Sequence, residues 1–325
     1  MKILTPYRKE CDIDALFEAG ADELYFGFYD DRWIEKFGDF SYINRMSDFK
    51  LKANAVPFEE APGLIDEIKR HGLKAFVTMN AAEYSVAQVD MLEQYLSAME
   101  ASRPDGIIVS SLVLAQLVQK HGIKPVASTM CGIFNSDILK EYIDAGVSRV
   151  ILPRELTLSE IEDMCASHPE IEFEVFLMRN GCRFADSHCL GVHGRQYGAL
   201  CNAVTNGPFK VETLDLEFDK RQAYDWNFRM YNMAHRGEAC SLCAIYRLMK
   251  AGVDAGKIVG RNDNPEAIKR DILLVKKNIE IARSSQTEEE YLDKMIFPPS
   301  RCNLCLQGLS CYYPEVRFPC KDSCS

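Results

Sequence analysis

No apolar run in this 325-residue sequence approaches the ~18 uninterrupted residues that mark a membrane-spanning helix, so a transmembrane helix is excluded. Met1-Lys2-Ile3-Leu4 leads straight into a strand-like segment instead of a signal peptide, which sets the expectation of a soluble, cytoplasmic protein. No Gly-x-Gly-x-x-Gly follows the first strand and no His-Glu-x-x-His occurs anywhere. A dinucleotide fold therefore has no positive support, and the two-histidine zinc helix of metalloproteases is ruled out. Basic charge is also short, with 38 Lys+Arg against 48 Asp+Glu and a net charge of -10. That balance argues against tight binding of a long nucleic acid, except through a local basic patch. Apolar residues are not lacking: at 47%, with 10% aromatic, they supply a real core and exclude global disorder.

Cysteine is plentiful, at 13 residues. In a reducing compartment, clustered thiols point to metal or redox chemistry more than to disulfides. Cys11, Cys131 and Cys165 are scattered and read as small buried apolar residues. Five more lie between 182 and 243 (Cys182, Cys189, Cys201, Cys240, Cys243) and five after 301 (Cys302, Cys305, Cys311, Cys320, Cys324). These two groups need another explanation.

From residue 1 to about 180, short β-rich runs alternate with amphipathic stretches. Strands are expected at Lys2–Pro6, Glu23–Phe28, Lys74–Met79, Gly106–Ser110, Pro125–Thr129, Arg149–Leu152 and Glu172–Phe176, with an eighth at Lys257–Gly260. Gly20, Gly72, Gly122 and Gly146 stand where helices should end. Strand-helix repetition with apolar strands means a parallel sheet covered by helices, and eight units favour a closed TIM-type (β/α)8 barrel. The expected organisation is a barrel over 1–283, holding a Cys-rich insertion at 181–243 after strand seven, and a Cys-rich C-terminal tail over 284–325. An insertion after a barrel strand lies on the C-terminal face, where active sites are built.

In the central group only Cys240-Ser-Leu-Cys243 has the form of a zinc knuckle. Iron–sulfur spacings vary widely, so spacing leaves a cluster, zinc and unliganded structural cysteine all open. Arg154 and Glu155 follow strand six, and Asn80 follows strand three, so these groups are placed at the barrel mouth as anion binders or as members of a buried ion pair. Arg179 and Asn180 abut Cys182 and could donate to a cluster. His188 and His193 flank Cys189 as acid, base or ligand candidates, or as exposed loop histidines. Lys220 to Arg236 carries four basic residues with Tyr224, Trp226, Phe228 and Tyr231, a pattern that suits stacking on a base or packing as a lid helix. The tail offers five thiols, Cys302, Cys305, Cys311, Cys320 and Cys324, for a four-ligand site. It suits zinc or a second cluster with one spare, and could dock a partner protein.

Taken in order, Gly-Ala-Asp-Glu-Leu-Tyr-Phe-Gly (20–27), Val-Thr-Met-Asn (77–80), Pro-Arg-Glu-Leu (153–156), Glu-Val-Phe (174–176) and Ala-Gly-Val-Asp-Ala-Gly-Lys-Ile-Val-Gly-Arg (251–261) resemble the collagenase-like peptidase family U32. The resemblance covers roughly residues 1–283. It implies a TIM-type barrel with a 4Fe-4S cluster on Cys182, Cys189, Cys201 and Cys240, whose first pair seven apart and last pair 39 apart match the family's ligand order. Two departures mark a divergent branch: Phe176-Leu-Met-Arg179 stands where the family has Phe-Val-His-Gly, and Val259 where it has Glu.

By this resemblance the expected activity is oxygen-independent hydroxylation of a small aromatic or RNA-borne acceptor, some relatives using prephenate as oxygen donor. Arg154, Glu155, Arg179 and Arg261 are the expected catalytic and anion-binding residues, because a carboxylate-bearing donor needs fixed cations near the reacting centre. The rival expectations are a metal-dependent peptidase, whose nucleophile would be a metal-bound water, and a non-catalytic metal-binding partner protein.

Overall fold

The computed structural model describes residues 1–9, 11–38, 41–46, 53–179, 181–182, 185–189, 239–298 and 311–316. Ten strands occur among them: β1 (Lys2–Pro6), β2 (Glu23–Phe26), β3 (Phe28–Tyr29), β4 (Val56–Pro57), β5 (Lys74–Met79), β6 (Gly106–Val109), β7 (Pro125–Ala127), β8 (Arg149–Ile151), β9 (Glu172–Met178) and β10 (Ala255–Ile258). All but β3 and β4 join in one closed parallel barrel, in the order β1-β2-β5-β6-β7-β8-β9-β10 and back to β1. Closure is seen at β1, which aligns Leu4 with Glu23 on one side and with Lys257 on the other. The strands are short and buried on both faces, as the runs Leu24–Phe26 and Ile107–Val109 show, because helices cover the outside and side chains fill the inside.

The helices are α1 (Ile13–Ala19), α2 (Asp31–Phe37), α3 (Ala61–Arg70), α4 (Val86–Met99), α5 (Leu112–Lys120), α6 (Ser136–Asp144), α7 (Leu158–Ser167), α8 (Ile245–Ala251), α9 (Pro265–Ser284) and α10 (Glu288–Lys294). Except at α3 and α8, their starts are set by short polar side chains that accept from the first free backbone N–H groups. Ser85 with Gln88 and Thr157 with Glu160 form reciprocal capping boxes. α1 ends at Gly20, whose φ of 109° lets its N–H turn back onto Leu16 and Phe17, a conformation an L side chain resists. No described helix is long and apolar enough to cross a membrane.

Several expected boundaries move: β2 stops at Phe26 with β3 separate, β6, β7 and β8 end one or two residues early, and β9 runs on to Met178. β10 runs from Ala255 to Ile258, two residues earlier than expected, because Ala255 and Gly256 allow close approach of β9: a Cβ on Gly256 would overlap Leu177. The register then shifts between Lys257 and Ile258, which ends the ladder before Val259. α10 falls in the stretch grouped with the tail. It packs on the barrel's helices, with Tyr291 fully buried, stacked on Tyr246 and donating its hydroxyl to the Leu242 carbonyl.

The barrel interior holds a layer of charge. Arg149 donates to Glu174 at 2.9 Å and to Glu23, while Lys257 donates to the other Glu174 oxygen at 3.0 Å. Burial lowers the Lys257 pKa against the opposing pull of Glu174. Each partner comes from a different strand, so the network forms only when the barrel closes.

Candidate active site

The strands' C-terminal ends converge on a mouth rich in arginine. Arg8 follows β1, Arg154 follows β8, Arg179 follows β9 and Arg261 follows β10, and Arg45 arrives from the segment between β3 and β4. Each is half-buried or buried, and each is held in a defined way.

Arg45 and Arg154 share one carboxylate, Asp186, which lies between Cys182 and Cys189 and is 2% exposed. Arg45 Nη2 is 2.6 Å from Asp186 Oδ1, and Arg154 Nη1 donates to Oδ2. Burial alone would raise the Asp186 pKa, but the two guanidiniums outweigh it and hold the carboxyl well below the usual carboxylate range. The short turn carrying Asp186 packs on the turn after β7, where a Cβ on Gly132 would sit 3.0 Å from Ser187 Cβ. Arg154 also lies over the Phe176 ring, 4.1 Å from its centroid. Its Nε is buried and has no hydrogen-bond acceptor among the described residues.

Arg179 has a left-handed backbone at φ 69°. Its Nε donates to Asp271 in α9 and its Nη1 to Asp263 at 3.2 Å. Arg8 donates to the Asp263 carbonyl. Burial raises the Asp263 carboxyl in spite of Arg179. Arg261 is set among neutral oxygens, with Nη1 3.1 Å from Thr78 Oγ1 and 3.4 Å from the Ala53 carbonyl. Gly27 makes room for it, since a Cβ there would meet Arg261 Nη1 and Asn54 Oδ1. Asn80 donates to Ser128 Oγ at 3.2 Å and accepts from the Arg45 N–H at 3.3 Å, so it fixes the segment that brings Arg45 in. Glu155 lies on the solvent side of its turn, and its pKa is raised first by partial desolvation, then by the Asp186 charge.

Three of the four expected cluster cysteines are described, and all three belong to this pole. Cys182 and Cys189 are half-buried, on the loop that carries Asp186 and so beside Arg154 and Arg45. Cys240 is buried and bridges Met178 at the end of β9. Thiols gathered at one pole are the soft donors that an iron–sulfur cluster takes. Among the described residues no three His, Cys, Asp or Glu side chains stand close enough to share one ion. Cys201, the stretch 220–236, Asn180, His193, and Cys302, Cys305, Cys320 and Cys324 lie outside the described residues.

The described part of the tail reaches the same place. Cys311 pairs with Cys240 backbone to backbone, as an isolated parallel β-bridge and not a disulfide, and the Tyr312 N–H donates to the Cys240 carbonyl at 3.3 Å. Tyr312 stacks on Phe176 with centroids 6.0 Å apart, and its hydroxyl donates to the Arg179 carbonyl. Glu315 accepts the Leu158 N–H at the start of α7, at 2.7 Å. Of the scattered cysteines, Cys11 and Cys165 are buried. Cys131 is half-buried by the mouth, its thiol donating to the Val109 carbonyl at 3.4 Å.

Sequence reasoning missed Asp186, Arg45, Arg8 and Asp263. Arg8 had a signal, since it follows a strand end just as Arg154 does. Asp186 had a weaker one, its place between two candidate ligands.

The sequence profile of peptidase family U32 matches residues 10–301. A collagenase of Porphyromonas gingivalis is 22% identical over 310 residues, covering 90% of this chain and 69% of that protein. A tRNA hydroxylation protein of Helicobacter pylori is 26% identical, covering 62% of this chain and 44% of its own length. A 23S rRNA 5-hydroxycytidine synthase of Escherichia coli is 24% identical, covering 98% of this chain but 46% of that protein. The chain thus spans less than half of the two RNA-hydroxylation relatives.

Proposed function

The chain belongs to peptidase family U32, and on that premise we propose that it is an iron–sulfur enzyme of oxygen-independent hydroxylation, acting on an RNA-borne or small aromatic acceptor. Two relatives are named for hydroxylation of tRNA and of rRNA, and this supports an RNA acceptor. The observation that carries the reading is Arg154: a half-buried guanidinium at the barrel mouth, paired with Asp186 between Cys182 and Cys189, whose Nε lacks an acceptor among the described residues. A carboxylate-bearing donor such as prephenate satisfies that N–H, and Arg261 adds a second fixed cation. Asp186 positions Arg154 and Arg45 together, and the Phe176–Tyr312 stack excludes water beside them. A 4Fe-4S cluster on Cys182, Cys189, Cys201 and Cys240 would supply electron transfer at this mouth. The remaining thiols of the tail, Cys302, Cys305, Cys311, Cys320 and Cys324, are proposed to hold zinc or a second cluster, which would organise a segment too short for its own core.

Mass spectrometry of nucleosides from total RNA tests the reading, comparing cells with and without the gene and cells complemented with Arg154→Ala. Loss of one hydroxylated nucleoside, restored by the wild type and not by the variant, supports it. Unchanged RNA, together with gelatin cleavage by the purified protein, points to the peptidase reading that the collagenase relative carries.

A further inference from the structure

The opposite pole of the barrel, at the N-terminal ends of the strands, contains a pocket of about 210 Å³. Its rim carries Lys74 at the start of β5, Arg103 in the loop before β6 and Lys124 in the loop before β7, and Arg149 lines its wall. Two carboxylates, Asp105 and Glu172, face these four cations. Asp105 is committed to the backbone, and Glu172 offsets part of the charge of Arg149. Asp105 accepts the Ala75 backbone N–H at 2.9 Å, and Glu172 pairs with Lys2 at 3.2 Å and Arg149 at 3.5 Å.

The side chains of Lys74, Arg103 and Lys124 make no ion pair within 4.0 Å among the described residues. Arg149 is 3% exposed and is already matched by Glu23, Glu174 and Glu172, so the cations left for a ligand are Lys74, Arg103 and Lys124. Arg103 sits at φ 43°, a backbone region that a non-glycine residue rarely occupies. Its backbone is held at both ends: its N–H donates to the Met99 carbonyl at 3.0 Å, and its carbonyl accepts from the Lys69 side-chain Nζ at 2.9 Å. In a chain of net charge -10, three such cations around one concavity, against the carboxylate of Asp105, make a local excess of positive charge.

We propose that this pocket is a binding site for a compact dianion of the phosphate class, separate from the barrel mouth. Free phosphate and a phosphate monoester share the chemistry, with tetrahedral oxygens accepting from Arg103 and the ammonium groups of Lys74 and Lys124. The volume suits a small head group, and the loops before β6 and β7 supply Arg103 and Lys124 to its lining.

Calorimetric titration with inorganic phosphate and, separately, with glycerol phosphate tests the site, with chloride at matched ionic strength as the control. The wild type is expected to bind in excess of the chloride control. The Arg103→Ala/Lys124→Ala double variant should bind at least about tenfold more weakly. Lys140→Ala, an exposed charge deletion on α6, should bind as the wild type does. Tighter binding of the monoester identifies a phosphorylated metabolite as the source, and equal binding identifies phosphate itself. Circular dichroism of the double variant checks that it folds. Binding no stronger than chloride, or equal binding by a folded double variant, overturns the proposal.

Discussion

Arg154, at the end of β8, donates to the buried carboxylate of Asp186, which lies between Cys182 and Cys189. One ion pair therefore ties the barrel frame to the loop that carries two candidate cluster ligands. Arg45 completes the arrangement from the other side of Asp186.

Replacing Asp186 by Ala leaves two half-buried guanidiniums without their shared counter-ion. The expected cost is about 3–5 kcal/mol, the range for breaking a buried pair from one side. Urea unfolding measures it. A loss below about 1 kcal/mol would mean that water already solvates the arginines.

Asp30 gives the pH dependence. It caps α2 through the Arg32 N–H, accepts from Tyr95 at 2.8 Å and pairs with Arg32 at 2.7 Å. Burial works against ionisation, but these partners win and its pKa is lowered. The unfolded chain therefore binds the proton more readily. The stability Asp30 contributes is complete above its unfolded pKa of about 3.9 and is lost as pH falls below that value. Asp30→Asn should be less stable than the wild type at pH 6, and the gap should narrow by pH 3 in thermal melts.

The eight barrel strands were legible in the sequence because each is a short apolar run closed off by turn residues, and because helix ends such as Gly20 fall where the backbone must turn left-handed. β10 was placed late because Ala255-Gly256 has no β-branched or aromatic residue to mark it as strand. α10 was not legible as a docked helix, since its run Glu-Glu-Glu-Tyr-Leu-Asp-Lys offers only Tyr291 and Leu292 to the core. At the mouth, Arg154 was legible from a strand end, Arg179 from its place beside Cys182, and Arg261 from the family resemblance. Their partners were not. Asp186 is 32 residues from Arg154, and Glu23 is 126 from Arg149, so only barrel closure pairs them.

Gly27 should not tolerate alanine. The added methyl meets Asn54 Oδ1 and Arg261 Nη1, and displacing either is expected to cost about 1–3 kcal/mol. Urea unfolding of Gly27→Ala reads this, and an unchanged midpoint would mean that Arg261 is not held against the Gly27 backbone.

Tyr312 should act on the mouth from the tail. Tyr312→Phe keeps the stack on Phe176 and loses the bond to the Arg179 carbonyl, an expected cost of about 1 kcal/mol. Tyr312→Ala removes the stack as well and should cost about 3–5 kcal/mol. Equal stability of the two variants in denaturant titrations would contradict docking of 311–316 on the mouth.

The central claim is that thiolates at the barrel mouth hold a 4Fe-4S cluster. The most direct measurement is the visible absorption spectrum of protein purified without oxygen, for the wild type and for Cys240→Ser. The account predicts broad sulfur-to-iron charge-transfer absorption in the wild type, with a clear loss in the variant. A colourless wild type carrying zinc, or a spectrum indifferent to Cys240, would contradict it.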